Sequence, residues 1–188
     1  MDCLGWKVAT EATSEPVSVA DAKLHLRLDE TGYDETLLPA LIKGARQYVE
    51  RVTSRHLAQQ VVEARYPYLD SPMRLPTTPA RSIVSIVYQV SGVTTTLDSV
   101  AVALLYEIQD QSVFPSLVQV YGSSLPTCDD DSVLVRYNSG PTTPDQVGCA
   151  IIRAIVADLF ERPEASVEQN VSENKTIQRA LDAYNTSW

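Results

Sequence analysis

The sequence predicts an α+β fold in which a small helical bundle carries an inserted antiparallel β region and a C-terminal tail. Two observations point to helices: apolar residues recur at steps of three and four residues between 37 and 52, and again between 147 and 160. A third points to strands, because the residues between these helices are rich in Val, Ile and Tyr and are interrupted by prolines. The predicted boundaries are 1–57 and 144–162 for the bundle, 58–143 for the β-rich insertion, and 163–188 for a tail with a docking segment.

The first predicted helix spans about residues 18–27. It follows Pro16, and Ser18 with Asp21 matches a capping box of the S-x-x-[DE] form. We expect the helix to end close to Asp29. Its apolar positions are Ala22, Leu24, Leu26 and Leu28.

A longer second helix is predicted after Asp34, which can cap its N-terminus. Pro39 lies near its start and is expected to delay or bend the first turn. The helix is amphipathic, with an apolar face opposite a polar one. The apolar positions are Leu37, Leu38, Leu41, Ile42, Ala45, Val49 and Val52, and the polar ones are Lys43, Arg46, Gln47 and Glu50.

The middle of the chain is predicted to form a small antiparallel sheet. Three segments have the Val, Ile and Tyr content of strands, namely "QQVVEARY", "SIVSIVYQV" and "SVLVRY". Prolines in "YLDSPMRLPTTPARS", between the first two segments, punctuate the region and limit pairing. The segment "LDSVAVALLYEIQDQSVFPSLVQVYG" is predicted to form several short strands joined by turns rather than a helix.

Helical spacing returns near residue 144. Thr143 can cap this third long helix, Pro144 suits its first position, and Gln146 completes a T-x-x-Q capping box. Its apolar surface extends around most of the cylinder, so we expect it to be buried on several sides. The apolar positions are Val147, Ile151, Ile152, Ala154, Ile155, Val156, Leu159 and Phe160.

The tail begins after Pro163 with a polar stretch and ends in "IQRALDAYNTSW". Ile177, Leu181 and Tyr184 have helical spacing, and Trp188 is the last residue. An isolated helix of about ten residues is marginal in water, so the tail is expected to order only against a partner. The alternative is that it folds back onto its own bundle.

Size and charge exclude some classes of function. With 188 residues the chain can bury a substantial core, and no apolar run approaches the ~18 residues of a membrane span. The first residues lack the basic start and apolar stretch of a secretory signal, which predicts synthesis in a cytoplasm. The net charge is −9, and no part of the chain is basic. Adhesive binding to nucleic acid is disfavoured, because it needs Lys and Arg to displace counterions from phosphates.

The sequence offers little that could catalyse a reaction or hold a cofactor. Cys3, Cys128 and Cys149 are widely spaced and suit reduced thiols better than a zinc site. His25 and His56 are too far apart to indicate a metal cluster. The run "CDDD" at 128–131 lacks the pattern of a calcium loop and favours a solvated acidic turn. No enzyme, cofactor or metal is predicted.

Four segments, in one order, carry a resemblance to a known family. They are "EPVSVADAKLHLRLD", "DETLLPALIKGARQYVERVTSR", "LPTTPARSIVSIVY" and "VLVRYNSGPTTPDQVGCAIIRAIVADLFERPEA". Each is weak alone, but their order and spacing over residues 13–165 closely resemble the head-to-tail connector proteins of tailed bacteriophages, also called adaptor or head completion proteins. The sequence departs from that pattern at Pro39, in a longer central strand region and in the tail after Pro163.

The resemblance implies a structural virion protein rather than an enzyme. Such connectors form a homo-oligomeric ring of about twelve copies in the neck, beneath the portal protein. The ring extends the DNA channel and docks the next neck or tail-completion protein, and DNA passes through it without specific binding. The alternatives are an unrelated scaffold or binding module of mixed α/β structure, and a hydrolase that uses Asp129, Asp130 and Asp131.

Three sets of residues follow as site hypotheses. The proposed subunit interface comprises Arg46, Glu50 and Arg153, because charged residues beside apolar helix faces often set the register between identical neighbours. The channel is expected to be acidic so that DNA slides without adhesion, with wall residues drawn from Asp98, Glu107, Asp110, Asp129, Asp130 and Asp131. The proposed portal-binding residues are Ile177, Leu181, Tyr184 and Trp188.

Overall fold

A computed structural model describes residues 1–28, 36–109, 114–162, 167, 171 and 174–186, and its elements confirm the α+β class. The helices are α1 (Val19–Leu26), α2 (Leu37–Thr53), α3 (Ser99–Leu105), α4 (Gln146–Glu161) and α5 (Lys175–Thr186). The strands are β1 (Gly5–Thr10), β2 (Gln60–Tyr66), β3 (Met73–Arg74), β4 (Ala80–Val90), β5 (Val93–Asp98), β6 (Tyr106–Gln109), β7 (Ser116–Gln119) and β8 (Val133–Ser139). None of the helices within the described ranges is long and apolar enough to cross a membrane.

The chain divides into two compact units. The β unit comprises Met1–Thr13 and Gln59–Pro141, and the helical unit comprises Ser14–Ala58 and Thr142–Trp188. The β unit contains a five-stranded sheet in the order β1-β2-β8-β4-β5 and a three-stranded sheet in the order β3-β7-β6, with antiparallel pairing throughout. Each unit has its own cluster of buried apolar side chains.

The larger sheet is amphipathic because side chains alternate between its faces. In the central pair, Val62 lies opposite Tyr137 and Ala64 lies opposite Val135, and all four are fully buried. Between them, Glu63 lies opposite Arg136 on the other face. The strands that the Val-rich segments predict are therefore present, and their alternation places the core on one face only.

Strand β1 departs from the predicted boundaries, which assign all of residues 1–57 to the helical bundle. Gly5–Thr10 instead pairs with β2 at the edge of the five-stranded sheet. Leu4, Trp6 and Val8 alternate with Gly5 and Lys7, which is a short strand signal that the predicted boundaries did not use, and all six residues of the strand are exposed. Long-range pairing with β2, more than fifty residues away, creates this strand.

Helix α3 corrects the prediction that residues 97–122 hold only strands. Asp98 caps it, accepting a hydrogen bond from the Ala101 N–H at 2.8 Å, and the two strands β6 and β7 follow. Its apolar residues Val100, Val102 and Leu104 match alternating spacing as well as they match one short helix. The cap, rather than the apolar pattern, distinguishes the two structures.

In the helical unit, α1 and α2 lie close to their predicted positions. Ser18 accepts a hydrogen bond from the Asp21 N–H at 3.0 Å, as the capping box predicts. Asp34 lies outside the described residues, so its predicted capping role is not described. Pro39 does not delay α2, which begins at Leu37. Proline is tolerated there because the N–H groups of a first helical turn have no partner within the helix.

Helix α4 begins two residues later than predicted. Its N-cap is Asp145, whose Oδ1 accepts a hydrogen bond from the Val147 N–H at 3.1 Å, and not Thr143. Two polar residues near one helix start compete for the cap, and the carboxylate also interacts favourably with the helix dipole. The predicted burial is confirmed, since eight residues of α4 are buried.

Candidate assembly surfaces

Arg46 is the centre of a buried ion-pair network. Its Nε donates to Glu15 Oε2 at 2.7 Å and its Nη1 donates to Glu50 Oε2 at 2.6 Å. Glu50 Oε1 in turn accepts the backbone N–H of Leu57 at 2.7 Å and that of Ala58 at 3.4 Å. The network therefore joins α2 to the segments before α1 and after α2.

This arrangement corrects the prediction that Arg46 and Glu50 lie at a subunit interface. Only 1% of Arg46 and 8% of Glu50 is exposed, so neither is open to a neighbouring subunit. Burial alone would lower the pKa of Arg46, but the hydrogen bonds and charges of Glu15 and Glu50 raise it above its ordinary value. The periodicity of α2 predicts a solvated polar face that includes Arg46 and Glu50. It gives no signal that Glu15, from a distant part of the chain, binds Arg46 there.

Arg153 is the remaining member of that set and is only partly buried, on α4. Its positive charge lowers the pKa of Cys149, although burial of the thiol has the larger effect and raises it. An interface role for Arg153 stays a prediction.

Two of the predicted channel carboxylates have structural roles. Asp98 caps α3. Asp129 accepts the backbone N–H groups of Ser91 at 2.9 Å and Gly92 at 2.8 Å, one on each carboxylate oxygen. Both turn residues have positive φ, of 52° and 77°, as a tight hairpin between β4 and β5 requires. Asp129 thereby holds the tip of this hairpin in one conformation.

The other predicted channel residues remain at the surface. Asp130, Asp131 and Glu107 are exposed, and Asp110 lies outside the described residues. Asp131 has a left-handed backbone with φ 55°, and its carbonyl accepts two hydrogen bonds from the Arg65 guanidinium, at 3.0 and 2.8 Å. The side chains of Glu107, Asp130 and Asp131 can therefore contribute charge to the surface. Their position on a channel wall stays a prediction.

Three of the four predicted portal-binding residues lie in the core of the helical unit. Ile177, Leu181 and Tyr184 are 3–5% exposed, and helix α5 packs against α4 and α2. The expectation that this segment orders only against a partner is wrong, and its alternative, folding back onto the bundle, is the observed structure. Trp188 lies outside the described residues. Portal binding through the apolar face of α5 stays a prediction, and it would require the helix to leave the bundle.

Tyr184 also makes polar contacts that hold α5 in place. Its hydroxyl donates a short hydrogen bond to Asp145 Oδ2, at the N-terminus of α4. The Arg55 guanidinium lies over its ring, 4.8 Å from the centroid. Burial, together with the hydrogen bond to Asp145, raises the pKa of the Tyr184 hydroxyl. The sequence spacing that marks Tyr184 as apolar gives no signal of these contacts.

The β unit exposes large apolar side chains that the sequence did not single out. Leu4, directly before β1, is 57% exposed, and Trp6 and Val8 on the strand are 46% and 37% exposed. Val100 and Leu104 are 71% and 70% exposed, one turn apart on α3, and Tyr121 is fully exposed in the turn after β7. Contiguous exposed apolar surface commonly marks a site of protein association. A local sequence signal of a turn beside Tyr121 is Gly122, which directly follows it.

A groove of about 570 Å³ lies over β1 and β2, at the edge of the five-stranded sheet. Its lining includes Leu4, Gly5, Trp6, Lys7, Glu63 and Arg65, and we refer to it as the β1 groove. Glu63 Oε2 accepts from Arg136 Nε at 2.7 Å, and Oε1 lies 3.0 Å from Lys7 Nζ. The hydrogen bond from Arg136 makes the largest contribution to lowering the pKa of Glu63. Elsewhere in the described residues, no three His, Cys, Asp or Glu side chains converge as metal ligands would.

Three solved structures that share this fold come from gene transfer agent (GTA) particles. A chain from the virion of the native GTA particle matches with a TM-score of 0.69 at 15% identity, covering 90% of this chain and 94% of that one. A chain from the neck of the empty particle, computed with C6 symmetry, matches at 0.70 and 16% identity, covering 94% and 95%. This is the fold of a neck protein from a phage-like particle.

A third match, from the neck of the native GTA particle computed with C12 symmetry, has a TM-score of 0.67 at 15% identity and covers 94% of both chains. Neither a protein-family model nor a curated protein matches the chain. The resemblance to phage connectors that the sequence carries is thus confirmed by a neck-protein fold over almost the whole chain.

Proposed function

We propose that this protein is a structural component of a virion neck, where it forms a homo-oligomeric ring between the portal and the tail. The observation that carries the proposal is the shared fold, which covers 90–94% of this chain in chains from GTA particles. Two of these chains belong to necks computed with C6 and C12 symmetry. Copies related by closed rotational symmetry form a ring. About twelve copies of this protein would surround the channel.

The charge of the protein supports a passive role toward DNA. A net charge of −9 disfavours adhesion to a polyanion, so an acidic ring would let DNA pass without holding it. The ring would attach to the portal on one side and dock the next neck or tail-completion protein on the other. Its place is the virion neck, after synthesis in the cytoplasm of the bacterial host.

A non-enzymatic role fits the distribution of the polar groups. The most deeply buried charged residue, Arg46, is held by Glu15 and Glu50 in a network that joins parts of the helical unit. Asp98 and Asp129 hold backbone N–H groups. These groups bind other parts of the same chain, which supports a structural role for them.

Electron microscopy of the purified protein, with and without portal rings from the same particle, tests the proposal. We expect rings with a central channel, either free in solution or stacked on the portal. A non-viral scaffold module would form neither. Protein that stays monomeric and fails to bind portal rings would contradict the proposed function.

A further inference from the structure

Strand β5 forms one edge of the five-stranded sheet, and one side of its backbone is open. Within the part of the chain that the structure describes, no strand pairs with that side. The hairpin from β4 to β5 turns at residues 91–92, both with positive φ, so Val90 and Val93 form the hydrogen-bonded pair that closes it. Hydrogen-bonded and non-bonded pairs alternate from there, which leaves the backbone N–H and C=O groups of Thr94 and Thr96 pointing away from β4.

This edge lacks the features that protect the edge strands of monomeric proteins from pairing. Such edges are usually interrupted by a bulge or a proline, or they carry Lys and other charged side chains. Strand β5 pairs with β4 in one continuous register, and residues 93–97 include neither a proline nor a charged side chain. Thr94 and Thr96 are exposed. The open edge of β5 can therefore accept another strand through main-chain hydrogen bonds.

The opposite edge of the sheet, strand β1, presents apolar side chains beside its backbone. It pairs with β2 in regular register over residues 5–8. Trp6 lies opposite the fully buried Ala64, which places it on the core-facing side of the sheet. Val8 lies opposite the equally buried Val62, on the same side. Both side chains of β1 are nevertheless exposed, because no further strand follows β1 in the sheet.

Strand β5 exposes apolar surface on the same side of the sheet. Leu97 lies opposite the buried Ile86, which lies opposite the buried Val135 of β8. Val93 is four residues before Leu97 and so points to the same side, where it is 66% exposed. Placing β1 of a second copy beside β5 would bring the exposed apolar side chains of the two strands together, and would remove from water surface that a single subunit leaves open.

The two edges also differ in charge. Residues 82–135, which include β5, contain no Lys or Arg, so all of their charged side chains are acidic. At the β1 edge, the single carboxylate of Glu63 serves both Lys7 and Arg136. Arg65 donates to a backbone carbonyl, which is a neutral acceptor. Positive charge is thus in excess at the β1 edge, which favours pairing with the acidic edge of another copy and disfavours pairing of two like edges.

We propose that β1 of one copy pairs with the open edge of β5 in the next copy around the ring, so that the five-stranded sheets of neighbouring subunits join edge to edge. This inference rests on the proposed neck ring and names the contact between its subunits. Neighbouring strands of the sheet are antiparallel, so β1 and β5, the first and fifth in order, run in the same direction, and the added pair is parallel. Two different edges make a head-to-tail contact, which generates a ring when its rotation closes.

Thr96→Pro tests the edge of β5. It removes an N–H group that points away from β4, and proline is tolerated in edge strands at such positions. The matched control is Thr96→Val, which keeps the N–H group and a β-branched side chain. Thr96→Pro should weaken each contact by about 10-fold or more and lose ring formation, because an acceptor of the added strand is left without its donor. Thr96→Val should form rings, as seen by negative-stain microscopy and analytical ultracentrifugation, alone and with portal rings.

Trp6→Asp tests the edge of β1. It removes apolar area and adds a negative charge that would face the acidic edge of the neighbour, whereas its control, Trp6→Phe, keeps an aromatic side chain. Trp6→Asp should form no rings, and Trp6→Phe should form them. Each blocked variant retains the edge that the other has lost. An equimolar mixture of Thr96→Pro and Trp6→Asp should therefore give a heterodimer that neither variant forms alone.

Hydrogen exchange reports the pairing directly. In wild-type rings, the amides of Thr94 and Thr96 should exchange about 10-fold or more slowly than in monomeric Trp6→Asp, whose β5 is unchanged. Mass spectrometry of fragments that cover β5 measures the difference. This comparison needs no substitution in β5, so it decides the inference even where Thr96→Pro does not fold.

The outcomes distinguish this inference from the proposed function. Wild-type protein that forms no ring, alone or with portal rings, overturns both. Wild-type rings in which Thr94 and Thr96 gain no protection overturn only the edge pairing, as do normal rings formed by folded Thr96→Pro or by Trp6→Asp. A mixture that yields no heterodimer also overturns it, because the edge of β5 would then belong to a different partner.

Discussion

Arg46 shows how one residue can stabilise several segments of the helical unit. Its guanidinium donates to two carboxylates, and Glu50 extends the network to the backbone after α2. Bringing a buried charge out of water is costly, and here the cost is offset only while every partner is present. The contribution of each member is therefore revealed by removing that member alone.

We predict that Arg46→Met lowers the free energy of unfolding by about 3 kcal/mol or more, because it leaves Glu50 buried without its cation. Urea denaturation followed by circular dichroism measures the change. Arg51→Ala, at an exposed position on the same helix, is the matched control and should cost less than about 1 kcal/mol. A loss for Arg46→Met no larger than that of the control would contradict the buried network.

His56 gives the fold a dependence on pH. It is 3% exposed, and burial, together with the charge of Arg46, lowers its pKa from 6.5 to about 4. Between these values the unfolded chain binds a proton that the folded chain does not. The contribution of a neutral His56 is therefore complete above pH 6.5 and is lost as the pH falls toward 4.

We predict that acidification from pH 7 to 4 destabilises the wild-type protein by up to about 3 kcal/mol through this residue. Denaturation curves recorded at several pH values give the slope. His56→Gln should remove this part of the slope, whereas His25→Gln, at an exposed position on α1, should retain it. Equal slopes for wild type and His56→Gln would show that His56 does not titrate in this range.

At the scale of elements, α5 completes the core of the helical unit. Its apolar residues join a cluster that includes Ile42 and Val49 of α2 and Ile152 and Ile155 of α4. Helix α4 has more apolar surface than α1 and α2 alone cover, so α5 shields what would otherwise be exposed. Deleting the tail would consequently expose core residues of the helical unit.

We predict that Leu181→Ala costs about 2–5 kcal/mol of stability, because it leaves a cavity in this core. Arg179→Ala, on the exposed face of the same helix, should change stability by no more than about 0.5 kcal/mol. Thermal and chemical denaturation of both variants measure the difference. A wild-type-like Leu181→Ala would mean that α5 is not docked on the bundle in solution.

At the scale of the whole molecule, surface charge decides how the proposed ring treats DNA. We predict a net acidic channel, to which Asp130 and Asp131 contribute, so that Asp130→Lys with Asp131→Lys slows DNA release from assembled particles at low salt. Release is timed by the fluorescence of a dye that binds free DNA. Both side chains are exposed, but Asp131 has a left-handed backbone, so circular dichroism of the variant is recorded to establish that it remains folded.

The matched control is Asp2→Lys, because Asp2 is also exposed but lies near the N-terminus. The slowing of DNA release caused by Asp130→Lys with Asp131→Lys should decrease as the salt concentration rises, because salt screens the charges. A salt-independent effect, or a structure of the ring with a net basic channel, would refute an acidic wall.

The charge of Arg153, which is partly buried, is predicted to act in assembly. We predict that Arg153→Glu weakens attachment of the ring to the portal while the circular dichroism spectrum of the monomer is unchanged, because an interface charge sets register without holding the fold. Sedimentation with portal rings measures attachment. Normal assembly of this variant would place Arg153 on a solvated face.

The sequence by itself determined the elements whose signals are local. Ser18 and Asp21 predicted the start of α1, and periodic apolar residues predicted α2, α4 and the central strands. These signals are local, because a helix cap and a one-sided burial pattern each involve residues close together in sequence. The order of these elements also carried the resemblance to phage connectors. The alternation of Leu4, Trp6 and Val8 is too short a signal to be decisive, and no buried face reinforces it, since all six residues of β1 are exposed.

Only the tertiary structure decided which of these residues are available to a partner. Arg46 and Tyr184 have the spacing of surface and docking residues, yet Glu15, Glu50 and Asp145 cover or bind them from distant parts of the chain. Tyr121 lies in a strand-rich segment whose sequence does not predict its exposure, yet its side chain is fully exposed. The exposure of a side chain depends on contacts between residues that are far apart in sequence, so no local pattern encodes it. The candidate assembly surfaces could therefore be identified only from the tertiary structure.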